Sequence, residues 1–241
     1  MKAFFLIIGF LAMQTAGLEA QDNKKKKQAP RRPNPALQPV EDDSSLPRVL
    51  LIGDSISIGY TTGVRELLKG KANVHRPLTN CGPTTKGVAE IDQWLQTGGK
   101  DKKWDVIHFN WGLHDLKYMG PNGENLADPA AENSAQQVSA DAYAENLDLL
   151  VTQLKATGAK LIWRNTTPVP PGAKGRMVGD SAKYNEVAAA VMEKHGIPTH
   201  DLFTVAKDRM DELMMKANVH FHKDGNKVLS KEVADRIVKE L

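Results

Sequence analysis

From residue 47 onward, short apolar runs alternate with longer stretches in which apolar residues recur every three or four positions. The short runs predict buried parallel strands, because a strand covered by helices on both faces has no polar side. The longer stretches predict amphipathic helices. Alternation of this kind predicts an α/β fold with a parallel sheet between two layers of helices. The predicted strands are Arg48–Gly53, Asn73–Pro77, Trp104–Asn110, Lys160–Arg164 and Pro198–Leu202, and the predicted helices span residues 57–69, 85–95, 141–157, 180–195, 204–215 and 224–240.

The first 20 residues have the order of a secretory signal peptide. Lys2 precedes an apolar run from Ala3 to Met13, and small or polar residues follow as far as Ala20. The apolar run is too short to span a bilayer, because a membrane helix needs about 20 apolar residues. The sequence therefore predicts a secreted or periplasmic protein that is cleaved near Ala20, with an uncleaved anchor as the alternative.

Residues 21–46 differ in composition from the rest of the chain. They combine a run of four lysines with four prolines and few apolar residues. Such a segment buries too little apolar surface to offset the entropy lost on ordering it. The sequence therefore predicts a flexible, basic and proline-rich tether, followed by one domain that spans residues 47–241.

Composition and charge exclude several classes of protein. A hydrophobic content of 41% and a charged content of 25% over 241 residues are typical of a globular protein, not of a disordered chain. The net charge is +3, but residues 1–46 contribute seven basic and five acidic side chains, which leaves the domain at +1. A near-neutral domain gives no support to nucleic-acid binding. The single cysteine, Cys81, excludes an intrachain disulfide, and no spacing of metal ligands predicts a metal or other cofactor.

Candidate chemistry lies beyond the carboxyl ends of the strands, where parallel sheets bind ligands. Ser55 follows the first strand at the start of a helix, where backbone N–H groups and the helix dipole favour negative charge. Gly82 follows the second strand and lets the backbone approach a ligand closely. His220 precedes the last helix, where it could act as a general base to the serine.

Four short blocks around these residues resemble those of the SGNH hydrolases, also called GDSL esterases. The third block matches the family pattern Gly-x-Asn-Asp imperfectly, and the fourth matches Asp-x-x-His imperfectly. All four follow the family order, and the resemblance extends over about residues 47–241. It implies ester hydrolysis and a three-layer α/β/α sandwich with a flavodoxin-like parallel sheet of about five strands. The four blocks are Gly53-Asp54-Ser55, Gly82, Gly112-Leu113-His114-Asp115 and Ala217-Asn218-Val219-His220.

The resemblance implies a role for each matched residue. Ser55 would be the nucleophile, and His220 would take its proton and later donate it to the leaving group. The N–H groups of Ser55 and Gly82 would form two arms of an oxyanion hole. The third arm is an asparagine side chain in the family and falls on His114 here, and a neutral imidazole N–H can also donate a hydrogen bond. Supporting roles are predicted for Asp54, Asn110, Asp115 and Asn218.

Ala217 stands where the family has its triad aspartate, and alanine can neither orient a histidine nor stabilise an imidazolium. Three replacements are open. The first is Asn218, which would orient His220 without charge. The second is a backbone carbonyl that accepts the Nδ1 proton, and the third is Asp224 or another carboxylate that reaches the ring. A catalytically degenerate domain that binds glycans without turnover is the alternative of a different class.

The predicted function is an exported serine esterase that hydrolyses small carboxylic esters, such as O-acetyl groups on carbohydrate. A lipase, lysophospholipase or thioesterase of the same fold is the alternative. Residues 117–139 are poor in large apolar side chains, which argues against a lid that grips lipid. The expected partner is a small-molecule or carbohydrate ester, with no nucleic acid and no stable membrane span after processing, and the sequence leaves the oligomeric state open.

Overall fold

The protein is described here by a computed structural model that covers Met1 and residues 33–241. The predicted signal peptide beyond Met1 and residues 21–32 of the predicted tether lie outside the described residues. The main sheet has five parallel strands, which are β1 (Arg48–Ile52), β2 (Asn73–His75), β3 (Val106–Phe109), β6 (Lys160–Arg164) and β7 (Thr199–His200). Their order across the sheet is β2-β1-β3-β6-β7. A separate antiparallel pair is formed by β4 (Tyr118–Met119) and β5 (Ala135–Gln136).

Helices cover both faces of the main sheet. One layer contains α1 packed against α7, and the other contains α2, α3 and α4, with α3 in contact with both α2 and α4. Every residue of the central strands β1 and β3 is buried, as expected for a sheet enclosed on both faces. The predicted α/β/α sandwich with five strands is therefore confirmed. The helices are α1 (Ser55–Leu67), α2 (Thr84–Leu95), α3 (Ala140–Ala156), α4 (Asp180–His195), α5 (Leu202–Asp208), α6 (Met210–Leu213) and α7 (Lys223–Val238).

Most predicted elements are present, and the differences have local causes. Helix α1 begins at Ser55 rather than at residue 57, because the Asp54 side chain accepts a hydrogen bond from the N–H of Ile56 and caps the first turn. The single helix predicted over 204–215 is interrupted at Arg209, whose φ of −127° is not helical. Among the described residues no helix is both long enough and apolar enough to cross a membrane.

The compact domain begins at Pro33, earlier than the predicted boundary at residue 47. Residues 33–46, predicted as the second part of a flexible tether, lie against the domain. Ala36 is buried, and the guanidinium of Arg65 in α1 donates hydrogen bonds to the carbonyl oxygens of Pro35 and Gln38. Composition alone did not reveal this packing because the partners of the segment lie elsewhere in the chain.

Asp42 in this segment lies close to three basic side chains of the domain. Its carboxylate lies 3.1 Å from Arg48 Nε and 2.5 Å from His75 Nε2, and it also pairs with Lys102. Burial acts to raise the pKa of Asp42, but hydrogen bonds from Lys102 and His75 outweigh burial and lower it to about 2. Burial lowers the pKa of His75, so at neutral pH its ring is neutral and donates a hydrogen bond to Asp42.

Replacing Asp42 by Asn should lower the free energy of unfolding at neutral pH by about 1–2 kcal/mol, because a carboxylate with a lowered pKa is stabilised in the folded state. This contribution is complete above the unfolded pKa of about 4 and is lost as pH falls towards the folded pKa of about 2. Urea unfolding of both proteins from neutral to acidic pH measures the difference. Asp101→Asn, at an exposed position, is the control; a difference for Asp42→Asn that does not shrink in acid would contradict the ion pair.

Candidate active site

Ser55 and His220 meet at the carboxyl ends of the strands. Ser55 is the first residue of α1, directly after β1, and His220 lies in the loop between α6 and α7. The distance from His220 Nε2 to Ser55 Oγ is 2.9 Å, within hydrogen-bond reach. The loop is held by hydrogen bonds from Met215 N–H to the His220 carbonyl and from His222 N–H to the Leu213 carbonyl. The two predicted residues, 165 positions apart, are therefore brought together.

The close approach of α7 to α1 depends on two glycines of α1. A Cβ atom at Gly59 would lie 2.5 Å from Asn226 Oδ1, and one at Gly63 would lie 2.2 Å from Ser230 Oγ. Ser230 Oγ also lies 3.1 Å from the carbonyl oxygen of Tyr60 in α1 and 2.7 Å from that of Asn226 in its own helix, so its one hydroxyl hydrogen lies within reach of both acceptors. Because the loop of His220 leads directly into α7, this packing fixes the separation between His220 and Ser55.

Asn218 occupies the position needed to orient His220. Its Oδ1 lies 2.7 Å from His220 Nδ1 and also accepts the backbone N–H of His220 at 3.0 Å. Because this Asn218 atom accepts a backbone N–H, it is the amide oxygen and has no hydrogen to donate. In the hydrogen bond with His220, the proton is therefore on Nδ1. Nε2 is then free to accept the hydrogen of the Ser55 hydroxyl.

The other replacements for the missing aspartate find less support in the geometry. Ala217 adopts a left-handed conformation with φ of 52°, and its methyl group has no means of holding the ring. Asp224 pairs with Lys227, with 2.7 Å between Nζ and Oδ1. Within residues 33–241 the hydrogen-bond partner of His220 Nδ1 is Asn218 Oδ1 and not a backbone carbonyl oxygen. Of the three possibilities that the sequence leaves open, the geometry therefore favours Asn218.

A pocket of about 300 Å³ opens beside Ser55 and His220. His114 lines it, as expected for the third oxyanion arm, and burial lowers the pKa of His114 so that the ring is neutral at neutral pH. A neutral ring has one N–H to donate. The N–H of Ser55 belongs to the first turn of α1, where backbone N–H groups have no partner within the helix.

The predicted second oxyanion arm is already engaged. The N–H of Gly82 donates to Asn80 Oδ1 at 3.0 Å, and it is Asn80, not Gly82, that lines the pocket. Gly82 can serve as a donor to a bound oxyanion only after the Asn80 side chain releases it. Sequence reasoning missed Asn80, although an asparagine two residues before a glycine is a common turn signal.

Asp115 does not face the pocket but supports its wall. It is fully buried, and its Oδ1 accepts hydrogen bonds from Thr84 N at 2.7 Å and from Thr84 Oγ1 at 2.5 Å. Burial raises the pKa of Asp115 to about 7, although the bonds from Thr84 act in the opposite direction. Asp115 thereby joins the loop of His114 to the start of α2, just beyond Gly82.

A buried polar network lies beneath Ser55. Asn110 donates through Nδ2 to the carbonyl oxygen of Arg164 at 2.7 Å, and the Arg164 guanidinium donates back to Asn110 Oδ1. Arg164 Nη2 also lies 4.0 Å from Asp54 Oδ1. The network ties the ends of β1, β3 and β6 together, which accounts for the predicted supporting roles of Asp54 and Asn110. The role of Arg164 in this network was not predicted, because the sequence does not show whether an arginine at the end of a strand points into the protein.

A model of the GDSL-like lipase/acylhydrolase family matches residues 51–228. Nothing among curated proteins matches the sequence significantly.

Solved structures with a similar fold include three that are described as lipases or esterases. A lipase/acylhydrolase from Enterococcus faecalis is 19% identical, with 81% of this chain and 97% of that chain covered and a TM-score of 0.61. An acetylxylan esterase from Geobacillus stearothermophilus is 16% identical, with 84% and 96% covered and a TM-score of 0.60. A GDSL-like lipase from Bacteroides thetaiotaomicron is 15% identical, with 80% and 89% covered and a TM-score of 0.58. At these identities the likeness shows a shared fold.

Replacing Gly63 by Ala should destabilise the protein by about 1–3 kcal/mol, because the new methyl group overlaps Ser230 and forces α7 away from α1. At an unconstrained position in a helix the same change stabilises by up to about 1 kcal/mol, so the sign of the effect is diagnostic. A double-mutant cycle with Ser230→Gly, read by urea unfolding, tests the contact. Gly63→Ala should cost less in the Ser230→Gly background, and equal costs in both backgrounds would contradict the close packing.

Proposed function

The chain belongs to the GDSL-like lipase/acylhydrolase family of ester hydrolases, and from this premise we propose that it is an exported serine esterase that hydrolyses small carboxylic esters, such as O-acetyl groups on carbohydrate. The observation that carries the proposal is the hydrogen-bonded series from Ser55 Oγ through His220 to Asn218, with distances of 2.9 and 2.7 Å. A nucleophile, a base and a group that orients the base are the parts that acyl transfer requires.

In this proposal Ser55 Oγ attacks the ester carbonyl while His220 Nε2 takes the hydroxyl proton. The resulting imidazolium donates that proton to the leaving alcohol, which leaves an acyl-serine. A water molecule then attacks the acyl-serine with His220 again as the base, releasing the acid and restoring Ser55. Asn218 holds the tautomer that leaves Nε2 unprotonated, but an amide stabilises the imidazolium less than a carboxylate does.

Negative charge develops on the carbonyl oxygen during each attack. We assign its stabilisation to the N–H of Ser55 at the start of α1 and to a ring N–H of His114, with the N–H of Gly82 added when Asn80 releases it. Removal of one such donor typically lowers kcat by about 10²–10³-fold. The neutral state of His114 supports this role, because it leaves one ring nitrogen protonated.

The pocket favours a short acyl group over a lipid chain. Its volume of about 300 Å³ is at the small end for ligand sites. Eight of the eleven residues that line it have polar side chains, although apolar atoms contribute most of the exposed lining surface; the apolar residues are Leu113, Leu126 and Val219. Similarity in fold to an acetylxylan esterase supports an acetyl group on a carbohydrate as the substrate. Export rests on the order of charged, apolar and small residues in the first 20 positions.

Replacing Ser55 by Ala should lower kcat/KM for p-nitrophenyl acetate by at least about 10³-fold, because no other group replaces the nucleophile. Ser45→Ala, at an exposed position, is the matched control and should retain wild-type activity. Rates with acetate should exceed those with octanoate. Equal activity of the wild type and Ser55→Ala would contradict the serine mechanism, and a preference for octanoate would favour the lipase alternative.

Replacing Asn218 by Asp should raise kcat several-fold, because a carboxylate at the same position stabilises the imidazolium more strongly than an amide. Asn218→Ala should lower kcat by about tenfold or more, since the ring then loses the bond that sets its tautomer. Ala217→Asp should gain little, because Asn218 already occupies Nδ1 of His220. Steady-state kinetics on p-nitrophenyl acetate measures all three. If Ala217→Asp were activated while both Asn218 variants matched the wild type, Asn218 would not be the orienting residue.

A further inference from the structure

Two cationic side chains line the pocket beside Ser55 and His220. Lys117 and Arg176 are both half-buried there. Neither forms an ion pair with a carboxylate within residues 33–241; the hydrogen bond of the Arg176 guanidinium in this part of the chain runs from Nε to the Leu113 carbonyl, at 3.0 Å. The proposed chemistry uses neither side chain, so their charges call for a separate explanation.

Hydrogen bonds hold the two backbone segments that carry Lys117 and Arg176. The carbonyl oxygen of Lys117 accepts a hydrogen bond from the N–H of Gln137 at 2.8 Å. The next N–H, that of Tyr118, donates to the carbonyl oxygen of Gly175 at 2.8 Å, which links the segment of Lys117 to that of Arg176. The bond from Arg176 to Leu113 then fixes the guanidinium against the loop of His114. The two charges are therefore positioned relative to the catalytic residues.

Burial in the pocket disfavours the charged form of both side chains. Burial lowers the pKa of Lys117 and that of Arg176, and the charge of Arg176 lowers the pKa of Lys117 further. The carboxylate that lines the pocket is that of Asp54, which is almost fully buried and lies 4.0 Å from Arg164 Nη2. The charge of Asp54 also acts on Arg176 and raises its pKa, against the effect of burial. Because Arg164, Arg176 and Lys117 supply three positive charges near this one pocket carboxylate, net positive charge is left for a ligand. Unpaired like charges kept together in a cleft are typical of a binding site for the opposite charge.

We propose that Lys117 and Arg176 bind a carboxylate on the alcohol part of the substrate, so that the preferred esters are O-acetylated acidic sugars. The proposal rests on the proposed esterase function. An acetyl group carries no charge. The carboxylate that would bind Lys117 and Arg176 is therefore assigned to the alcohol part of the ester. A guanidinium matches the two oxygens of a carboxylate, and a lysine adds a third donor.

A different use of the two cations would be to stabilise the oxyanion at Ser55. The two roles predict different results. A group that binds the sugar carboxylate discriminates between charged and neutral substrates, whereas a group that stabilises the oxyanion accelerates both equally. The ratio of kcat/KM for a charged and a neutral ester separates them.

The test compares methyl 3-O-acetyl-glucuronoside with methyl 3-O-acetyl-glucoside, which differ in a carboxylate and a hydroxymethyl group. The wild type should favour the glucuronoside by about tenfold or more in kcat/KM, as expected for a charge-assisted hydrogen bond. Lys117→Gln and Arg176→Gln should each reduce this ratio several-fold. Lys100→Gln, which removes an exposed lysine outside the pocket, should retain the ratio. A wild-type ratio near one, or equal losses on both substrates in the two pocket variants, would overturn the proposal.

A binding measurement keeps this proposal separable from the esterase proposal. Calorimetry with the Ser55→Ala protein should detect methyl glucuronoside binding that is tighter than methyl glucoside binding and that weakens when Lys117→Gln is added. If the wild type hydrolysed neither ester while this preference remained, the esterase proposal would fail and the carboxylate site would stand. Equal affinity for the two sugars, or no effect of Lys117→Gln, would overturn the carboxylate site whatever the activity.

Discussion

The packing of α7 against α1 is the constraint on which the candidate site depends. Gly59 and Gly63 remove side chains from the one face of α1 that α7 must approach, and Asn226 and Ser230 fill the space. Since Ser55 begins α1 and His220 lies three residues before the start of α7, the distance between the two helices controls the distance between Ser55 Oγ and His220 Nε2. A hydrogen bond of 2.9 Å tolerates little change in that spacing, because hydrogen bonds weaken steeply with distance and angle.

The local arrangement at His220 shows how a site can be organised without the expected aspartate. The left-handed turn at Ala217 is followed by Asn218, whose amide oxygen accepts both the backbone N–H and the ring N–H of His220. One atom thus sets the loop conformation and the tautomer together. Beneath Ser55, two side chains likewise organise several segments, because Asn110 and Arg164 connect three strand ends through buried hydrogen bonds. Within the described residues Arg164 Nε has no hydrogen-bond partner, so the network is held through the other guanidinium nitrogens and the Asn110 amide.

The sequence predicted the sheet, the order of the helices and the pairing of Ser55 with His220. The sheet and the helices follow from apolar periodicity, whereas the roles of Ser55 and His220 were implied by the resemblance of four short blocks to those of the SGNH hydrolases. It did not predict that Asp42 joins residues 33–46 to the domain, since the partners of that carboxylate are dispersed over three other segments. Nor did it predict that Asn80 occupies the N–H of Gly82, or that Lys117 and Arg176 share a pocket wall with Ser55. Such contacts depend on side-chain direction and loop closure, which periodicity does not encode.

The central claim is that Ser55 is a nucleophile activated by His220. Covalent trapping tests it most directly: the wild type is incubated with a fluorophosphonate, which reacts with activated serine hydroxyls, and the adduct is located by mass spectrometry of peptides. If Ser55 is the activated nucleophile, one adduct per chain should form, on Ser55, and labelling should be much slower in a His220→Ala variant. An unlabelled protein, a label on another serine, or a labelling rate that does not depend on His220 would contradict it.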